Sequence, residues 1–495
     1  MSRVADERVP DEDLTSSEIR ERALTGAGVL GVRGVALRLV ALGGNVVLAR
    51  LLLPRDFGAV AFGSTLIVLL TVAGDAGMGA GLIRRKDPPS REDLRAVLAV
   101  QLTLTLVLSA ITVAIAAPFG RTGLVTLVMV AALPFTAVKA PAVVMTERRL
   151  RYRPIMIVEV AESLLFYGWA IGTVAAGWGV WGFASAAVVR SLVGAGLMLA
   201  LVPDGRVLPR FSWSRVRSLL GFGARFQAVA IADVGRDQAI NAGTAVISGI
   251  GTLGIWNLAN KVLQVPYQLF EPLWRVSFPA MARLAHSDED DMRAAVERAT
   301  SMTAVSAGVI LAVLAGSAPA GVPAVFGSEW TAASGIIPWA CIGLMVGGPV
   351  AVGTAGYLYA VGRAGRVLAA VGGASLVWIA VTLSLLPAIG PPAFGLGWMA
   401  HALVEAAVLG TGGASATGAR IARQIAVPAA VALVSGAAGW AVASALDPSL
   451  ASAAAAAAVA GGGYVIGLLV LAPRLLRDAL GMSLRALRGG MMKPS

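Results

Sequence analysis

The chain has 495 residues, 57% hydrophobic and 14% charged, with a mean hydropathy of +0.78. Apolar runs of about 20 residues, the length that crosses a bilayer core, recur along it and exclude a soluble globular class. The net charge of +12 would suggest nucleic acid in a soluble protein, but a membrane protein gathers excess Arg in its cytoplasmic loops, so no nucleic-acid partner is expected.

Residues 1–24 carry four Arg and seven Asp or Glu without an apolar core, and so read as a cytoplasmic tail rather than a signal peptide. About fourteen spans follow, near 25–52, 57–83, 96–117, 122–138, 155–177, 179–202, 219–247, 253–282, 299–320, 333–361, 367–387, 393–412, 424–445 and 450–472. Helix is the expected form, because lipid-exposed backbone must satisfy its own hydrogen bonds and a barrel would need short alternating strands. The fold class is therefore an all-α polytopic membrane protein. Alternate connections and the two tails hold thirty Lys or Arg, while the opposite connections hold only Arg55 and Arg121, so both termini are placed in the cytoplasm.

An offset of 196 residues aligns Asn45 with Asn241, Ala49 with Ala245, Gly58 with Gly254 and Asp75 with Glu271, which suggests duplicated halves. On that reading 25–204 is an N-terminal lobe of six helices, 205–218 a cytoplasmic linker and 219–412 a second six-helix lobe. Residues 413–473 then form an appended helix pair, and 474–495 a basic cytoplasmic tail. The Ala/Gly-rich run 451–463 reads as a lipid-facing or closely packed helix. Trp178, Trp181, Trp330 and Trp440 fall near outer span ends and read as interfacial anchors.

Ionisable groups inside spans are costly and mark candidate sites. In 253–282, Asn257, Lys261, Gln264, Gln268, Glu271 and Arg275 recur at spacings of three and four. At about 100° per residue they share an arc of about 80°, a cavity-lining stripe with Pro266 available to kink it. The span 219–247 carries Arg225, Asp233, Arg236, Asp237 and Asn241 over a wider arc. Here a carboxylate could couple an ion to transport, or Asp233, Arg236 and Asp237 could neutralise one another. Arg33 and Arg38 have no acid in their own span and suit an anionic substrate, since the planar guanidinium donates paired hydrogen bonds to phosphate. Glu159 fits a helix N-terminus, and Glu162 lies deeper. His401 and Glu405, four residues apart, read as a packing pair or a proton relay. One cysteine, Cys341, and two histidines, His286 and His401, supply neither a disulfide nor a Cys/His metal site, and no cofactor, P-loop or nucleophile elbow is visible.

The stretch Leu48–Gly58 (LARLLLPRDFG), Asp75–Gly79 (DAGMG), Leu82–Lys86 (LIRRK), Thr146–Arg153 (TERRLRYR) and Ser248–Leu284 together resemble the polysaccharide transporter family of the multidrug/oligosaccharidyl-lipid/polysaccharide flippase superfamily. The resemblance covers roughly residues 25–410. It implies a MATE-like flippase fold of two lobes that opens alternately to each side of the cytoplasmic membrane. It also implies a polyprenyl-pyrophosphate-linked oligosaccharide as substrate, and a polysaccharide polymerase or glycosyltransferases as partners. Under it, Arg38, Arg225, Arg236, Arg275 and Arg33 are candidates to hold the pyrophosphate. Asn45, Asn241, Asn257, Lys261, Gln264 and Gln268 would line the cavity, and Asp75, Asp233, Asp237 and Glu271 would couple an ion. A cation-coupled drug or small-molecule antiporter and a lipid II flippase are the competing readings. The connections are too short to house a catalytic domain, so an enzyme is not expected.

Overall fold

A peptide group surrounded by hydrocarbon has no water to bond, which leaves the α-helix as the form in which each segment satisfies its own backbone. The computed structural model describes residues 34, 37–75, 78–79, 82, 88–149, 151–284, 289–417 and 419–477, and these are all-helical. The helices are α1 (37–51), α2 (Pro54–Asp75), α3 (Arg91–Ala116), α4 (Gly120–Val130), α5 (Leu133–Arg148), α6 (Tyr152–Thr173), α7 (Val180–Leu201) and α8 (Trp213–Ile247). They continue with α9 (Gly249–Leu284), α10 (Glu289–Phe326), α11 (Ile337–Val350), α12 (Gly356–Ala360), α13 (Ala364–Ile389), α14 (Pro392–Thr417), α15 (Ile421–Ala445) and α16 (Leu450–Leu471). Eleven stretches among the described residues are long and apolar enough to cross a membrane, so the chain is a multi-pass membrane protein. The expected spans 25–52, 219–247 and 253–282 are not among the eleven, and the count of fourteen stays an expectation of the sequence.

The chain divides into two compact units, Met1–Ala245 and Val246–Ser495. The division lies beyond the connection 205–218 and leaves α8 with the first unit, apart from its last two residues. In that unit α6 runs along α7, α5 packs on α7 and α3, and α2 lies against α4. In the second, α10 packs most extensively on α15 and α16, while α14 joins α13 to α11.

Small residues set these approaches. A Cβ on Gly316 of α10 would fall 2.9 Å from the Gly436 carbonyl oxygen and 3.2 Å from the Gly439 Cα of α15, so the backbones meet almost bare. Between α16 and α10 the Tyr464 hydroxyl donates to the Ala304 and Val305 carbonyl oxygens at 3.3 and 3.1 Å. Ala456, Ala460, Tyr464 and Leu468 repeat every four residues and are all buried, so the Ala/Gly-rich run takes its closely packed form on that stripe.

Two sequence expectations need correcting. The span expected to stop at 138 runs on through α5 to Arg148, which moves Lys139 from a loop into a helix interior. Trp330, expected at an interface, has no exposed surface and fills a 3-10 turn at Ser328–Gly335, where packing rather than anchoring holds it. Replacing Gly316 with Leu is expected to force α10 from α15 and lower stability by about 1–3 kcal/mol. Thermal unfolding in detergent checks this, with Gly372→Leu, at a site where added volume meets nothing within 4 Å, as the neutral comparison.

Candidate functional site

Three charged side chains from three helices of the first unit converge. Glu162, near the middle of α6, has only 4% of its side chain exposed. The Lys139 ammonium of α5 donates to its Oε1, and the Arg190 Nε of α7 lies 3.6 Å from its Oε2. Gly194, one turn beyond Arg190, leaves the room, since any Cβ there would overlap the Glu162 carboxylate. The cluster is not an end-of-helix feature. Arg190 lies midway along α7, about 12 Å from Met198 at about 1.5 Å per residue. Met198, together with Val202, packs on Ala142 and Val158 towards the connecting loops.

Two cations share one carboxylate, so the cluster carries one surplus positive charge. The distribution of exposure decides where that surplus acts: Glu162 and most of Lys139 are enclosed, whereas 49% of the Arg190 side chain is open. The Arg190 guanidinium carbon stands 5.9 Å from the centroid of the Phe166 ring, which supports it from the side. Its separation from Glu162 makes an ion pair and exceeds a short hydrogen bond, so its fork keeps donors for a planar anion. The neighbouring Tyr167 hydroxyl lies within electrostatic reach of Arg190 and accepts a 3.0 Å hydrogen bond from Asn45 Nδ2, which also donates to the Ala41 carbonyl oxygen at 2.6 Å. Gly44 makes that contact possible, because a Cβ there would overlap the Tyr167 ring.

Comparison with known proteins bears on what such a cluster serves. A family model described as "Polysaccharide biosynthesis protein" matches residues 47–335, more than half of the chain. The chain belongs to this family. Among curated relatives, the succinoglycan biosynthesis transport protein ExoT of Rhizobium meliloti (strain 1021) is 26% identical over 308 residues, covering 60% of this chain and 60% of its own length. The lipopolysaccharide biosynthesis protein WzxC of Escherichia coli (strain K12) is 25% identical over 347 residues, covering 67% and 69%. The fold matches the lipid II flippase MurJ in an inward closed conformation with a TM-score of 0.68 at 12% identity, over 90% of this chain and 99% of that one. A multidrug resistance MATE family transporter of the MOP superfamily, inward-facing, matches with a TM-score of 0.55 at 14% identity, over 78% and 95%.

Within this family member the sequence-derived candidates are scattered. Asn45 joins the Tyr167 contact just described, and Asn241 Nδ2 donates to Thr65 Oγ1 at 3.1 Å. Arg236 pairs with its neighbour Asp237 at 2.8 Å, the local neutralisation that the sequence allowed. Asp75 accepts from Gln101 Nε2 at 2.9 Å. Arg38 is exposed on α1. In the second unit α9 continues as a helix through Pro266; Asn257 and Lys261 are half-buried, and Gln264 is exposed, while Leu253, Trp256, Ala259 and Leu263 are buried. Arg33 and the side chains of Arg225, Asp233, Gln268, Glu271 and Arg275 lie outside the described residues. His401 and Glu405 pair at 3.6 Å and border a cavity of about 310 Å³ with Tyr267 and Phe270.

Sequence reading missed the role of Lys139 and gave Glu162 none. The expected span 122–138 ends one residue before Lys139, which leaves that lysine outside it. The recoverable signal was a Lys, a Glu and an Arg in three successive spans, each without an opposite charge beside it. Glu162→Gln leaves two cations facing each other and is expected to destabilise the first unit by about 3 kcal/mol. Adding Lys139→Met to that variant should recover most of the loss. Unfolding of the two singles and the double checks the pairing, and additive losses would show that the residues do not interact.

Proposed function

We propose that this chain moves a polyprenyl-pyrophosphate-linked oligosaccharide from the cytoplasmic to the outer leaflet of the cytoplasmic membrane, as a step in cell-envelope polysaccharide synthesis. The observation that carries the reading is the Lys139–Glu162–Arg190 cluster: a surplus positive charge among membrane-spanning helices, presented through a half-open arginine. An uncompensated charge in such surroundings is expensive, and the demand is met if its counter-ion arrives with the substrate. A pyrophosphate has the planar acceptor pairs that a guanidinium fork engages, and its lipid chain can remain in the bilayer while the head group crosses. Family membership and the names of the curated relatives, transport and biosynthesis proteins for succinoglycan and lipopolysaccharide, support the substrate class.

Each residue then has a part. Arg190 receives the phosphate. Glu162 holds the guanidinium against Phe166, and Lys139 holds Glu162 in place, so that Arg190 is oriented before the substrate arrives. Arg38, Arg225, Arg236 and Arg275, with Arg33, remain candidates for further phosphate contacts along the path, and Asn241, Asn257, Lys261, Gln264 and Gln268 for its lining. Asp75, Asp233, Asp237 and Glu271 are the candidates for ion coupling. Translocation on this reading breaks no covalent bond, both termini lie in the cytoplasm, and a polymerase or glycosyltransferase acts on the delivered product.

In proteoliposomes carrying a fluorescent polyprenyl-pyrophosphate oligosaccharide, Arg190→Ala is expected to lower the rate of translocation at least about tenfold, the scale of one lost charge-assisted contact. Arg190→Lys should retain part of it, while both variants insert normally. Arg38→Ala and Arg275→Ala should impair translocation as well. Full activity in a correctly inserted Arg190→Ala protein would remove the cluster from the substrate path.

A further inference from the structure

The connection between α7 and α8 is held rigidly, yet it turns large apolar side chains outwards. Its backbone is fixed at several points. Gly205 lies so close to Ala142 of α5 that any side chain would overlap that residue's backbone. Asp204 pairs with Arg149 at 2.6 Å, Arg206 Nε donates to the Leu199 carbonyl oxygen at 2.7 Å, and the Arg210 amide donates to the Arg95 carbonyl oxygen at 3.2 Å. Val207 and Val216 pack into a core with Met78, Leu82, Leu94 and Met145. Between and beside these anchors Leu208, Phe211 and Trp213 are 79%, 63% and 60% exposed. The same stretch exposes Arg206, Arg210 and Arg217, and neither Arg210 nor Arg217 has a side-chain partner among the described residues. Arg215, by contrast, reaches back to Glu92 and Asp93 at 3.3 and 3.4 Å.

We propose that residues 206–217 form a built-in binding surface for anionic phospholipid. Leu208, Phe211 and Trp213 enter the upper acyl region, and Arg206, Arg210 and Arg217 hold head-group phosphates. The occupant follows from position and chemistry. The stretch leaves α7, a membrane-crossing helix, at Leu201, which puts it at the bilayer boundary. Tryptophan, with one apolar and one hydrogen-bonding side, favours that boundary, and arginines beside it match the negative charge of a cytoplasmic leaflet. Apolar side chains exposed on a flexible loop could fold back on the protein; on a clamped loop they need a cover from outside. The consequence for the machine is that the start of α8 is tied to the leaflet through α3, α5 and the lipid, so that transport becomes sensitive to anionic lipid content. The inference is independent of which substrate is moved.

The test places a fluorescent NBD label on Leu208→Cys or Phe211→Cys in a Cys341→Ser background and reconstitutes each protein in nanodiscs of phosphatidylcholine, with or without phosphatidylglycerol. A surface bound to lipid predicts quenching by nitroxide-bearing lipid, protection from aqueous iodide, and an increase of both with phosphatidylglycerol. Changing Arg206, Arg210 and Arg217 to Gln should weaken that anionic preference by about fivefold per arginine. Quenching by iodide without quenching by lipid would overturn the proposal. So would protection from both quenchers, which would mean that protein covers the patch, either the chain's own termini or a partner. Should labelled variants insert poorly, brominated-lipid quenching of the native protein against Trp213→Phe reads the same contact: equal quenching in the two rejects it.

Discussion

A charge among membrane-spanning helices has to be neutralised where it lies, because neither water nor mobile counter-ions reach it cheaply. In the first unit that requirement falls on Glu162. The carboxylate is closed in by Lys139, Arg190 and the bare backbone of Gly194, so α5, α6 and α7 are bound by one electrostatic knot as well as by apolar packing. Because two cations meet one anion, the knot is stable and still short of one negative charge. On the proposed function, that imbalance is what Arg190 would offer to the phosphate of an anionic lipid, through the same arrangement that lets the charges exist inside the membrane.

The second unit meets the same constraint differently. Its helices approach through glycine and alanine, Gly316 of α10 against Gly436 and Gly439 of α15, while the Tyr464 hydroxyl of α16 reaches two backbone carbonyls of α10. Its aromatic centre is built from Trp256 stacked on Phe394 at 4.7 Å, with Trp378 and Trp398 edged against them. A cavity there, bordered by Tyr267 and Phe270, is also lined by His401 and Glu405, which lie 3.6 Å apart. Among the described residues, then, the first unit brings two cations to one carboxylate, whereas the second gathers a cluster of aromatic side chains.

Much of the fold was legible because membrane crossing imposes length and composition on each segment. What the sequence could not give was partnership across helices. The expected span 122–138 stops just short of Lys139 because a lysine after an apolar run resembles a span end; only the position of Glu162, 23 residues on, shows that the helix tolerates it. The spacing of Asn257, Lys261 and Gln264 is a pattern within one helix, α9, and so could be read without any knowledge of its neighbours. Trp330 misled for the opposite reason, as its composition matched an interface while the packing of the 3-10 turn placed it inside. Local patterns were readable, and contacts between residues far apart in the chain were not.

The measurement that tests the central claim most directly follows two cargoes in proteoliposomes of the unaltered protein: a polyprenyl-pyrophosphate oligosaccharide and a cationic dye. Movement of the lipid-linked sugar, competed by an unlabelled polyprenyl pyrophosphate, with no dye efflux above protein-free vesicles, is the predicted result. Dye efflux without movement of the lipid-linked sugar would contradict the account and assign the chain to small-molecule exchange.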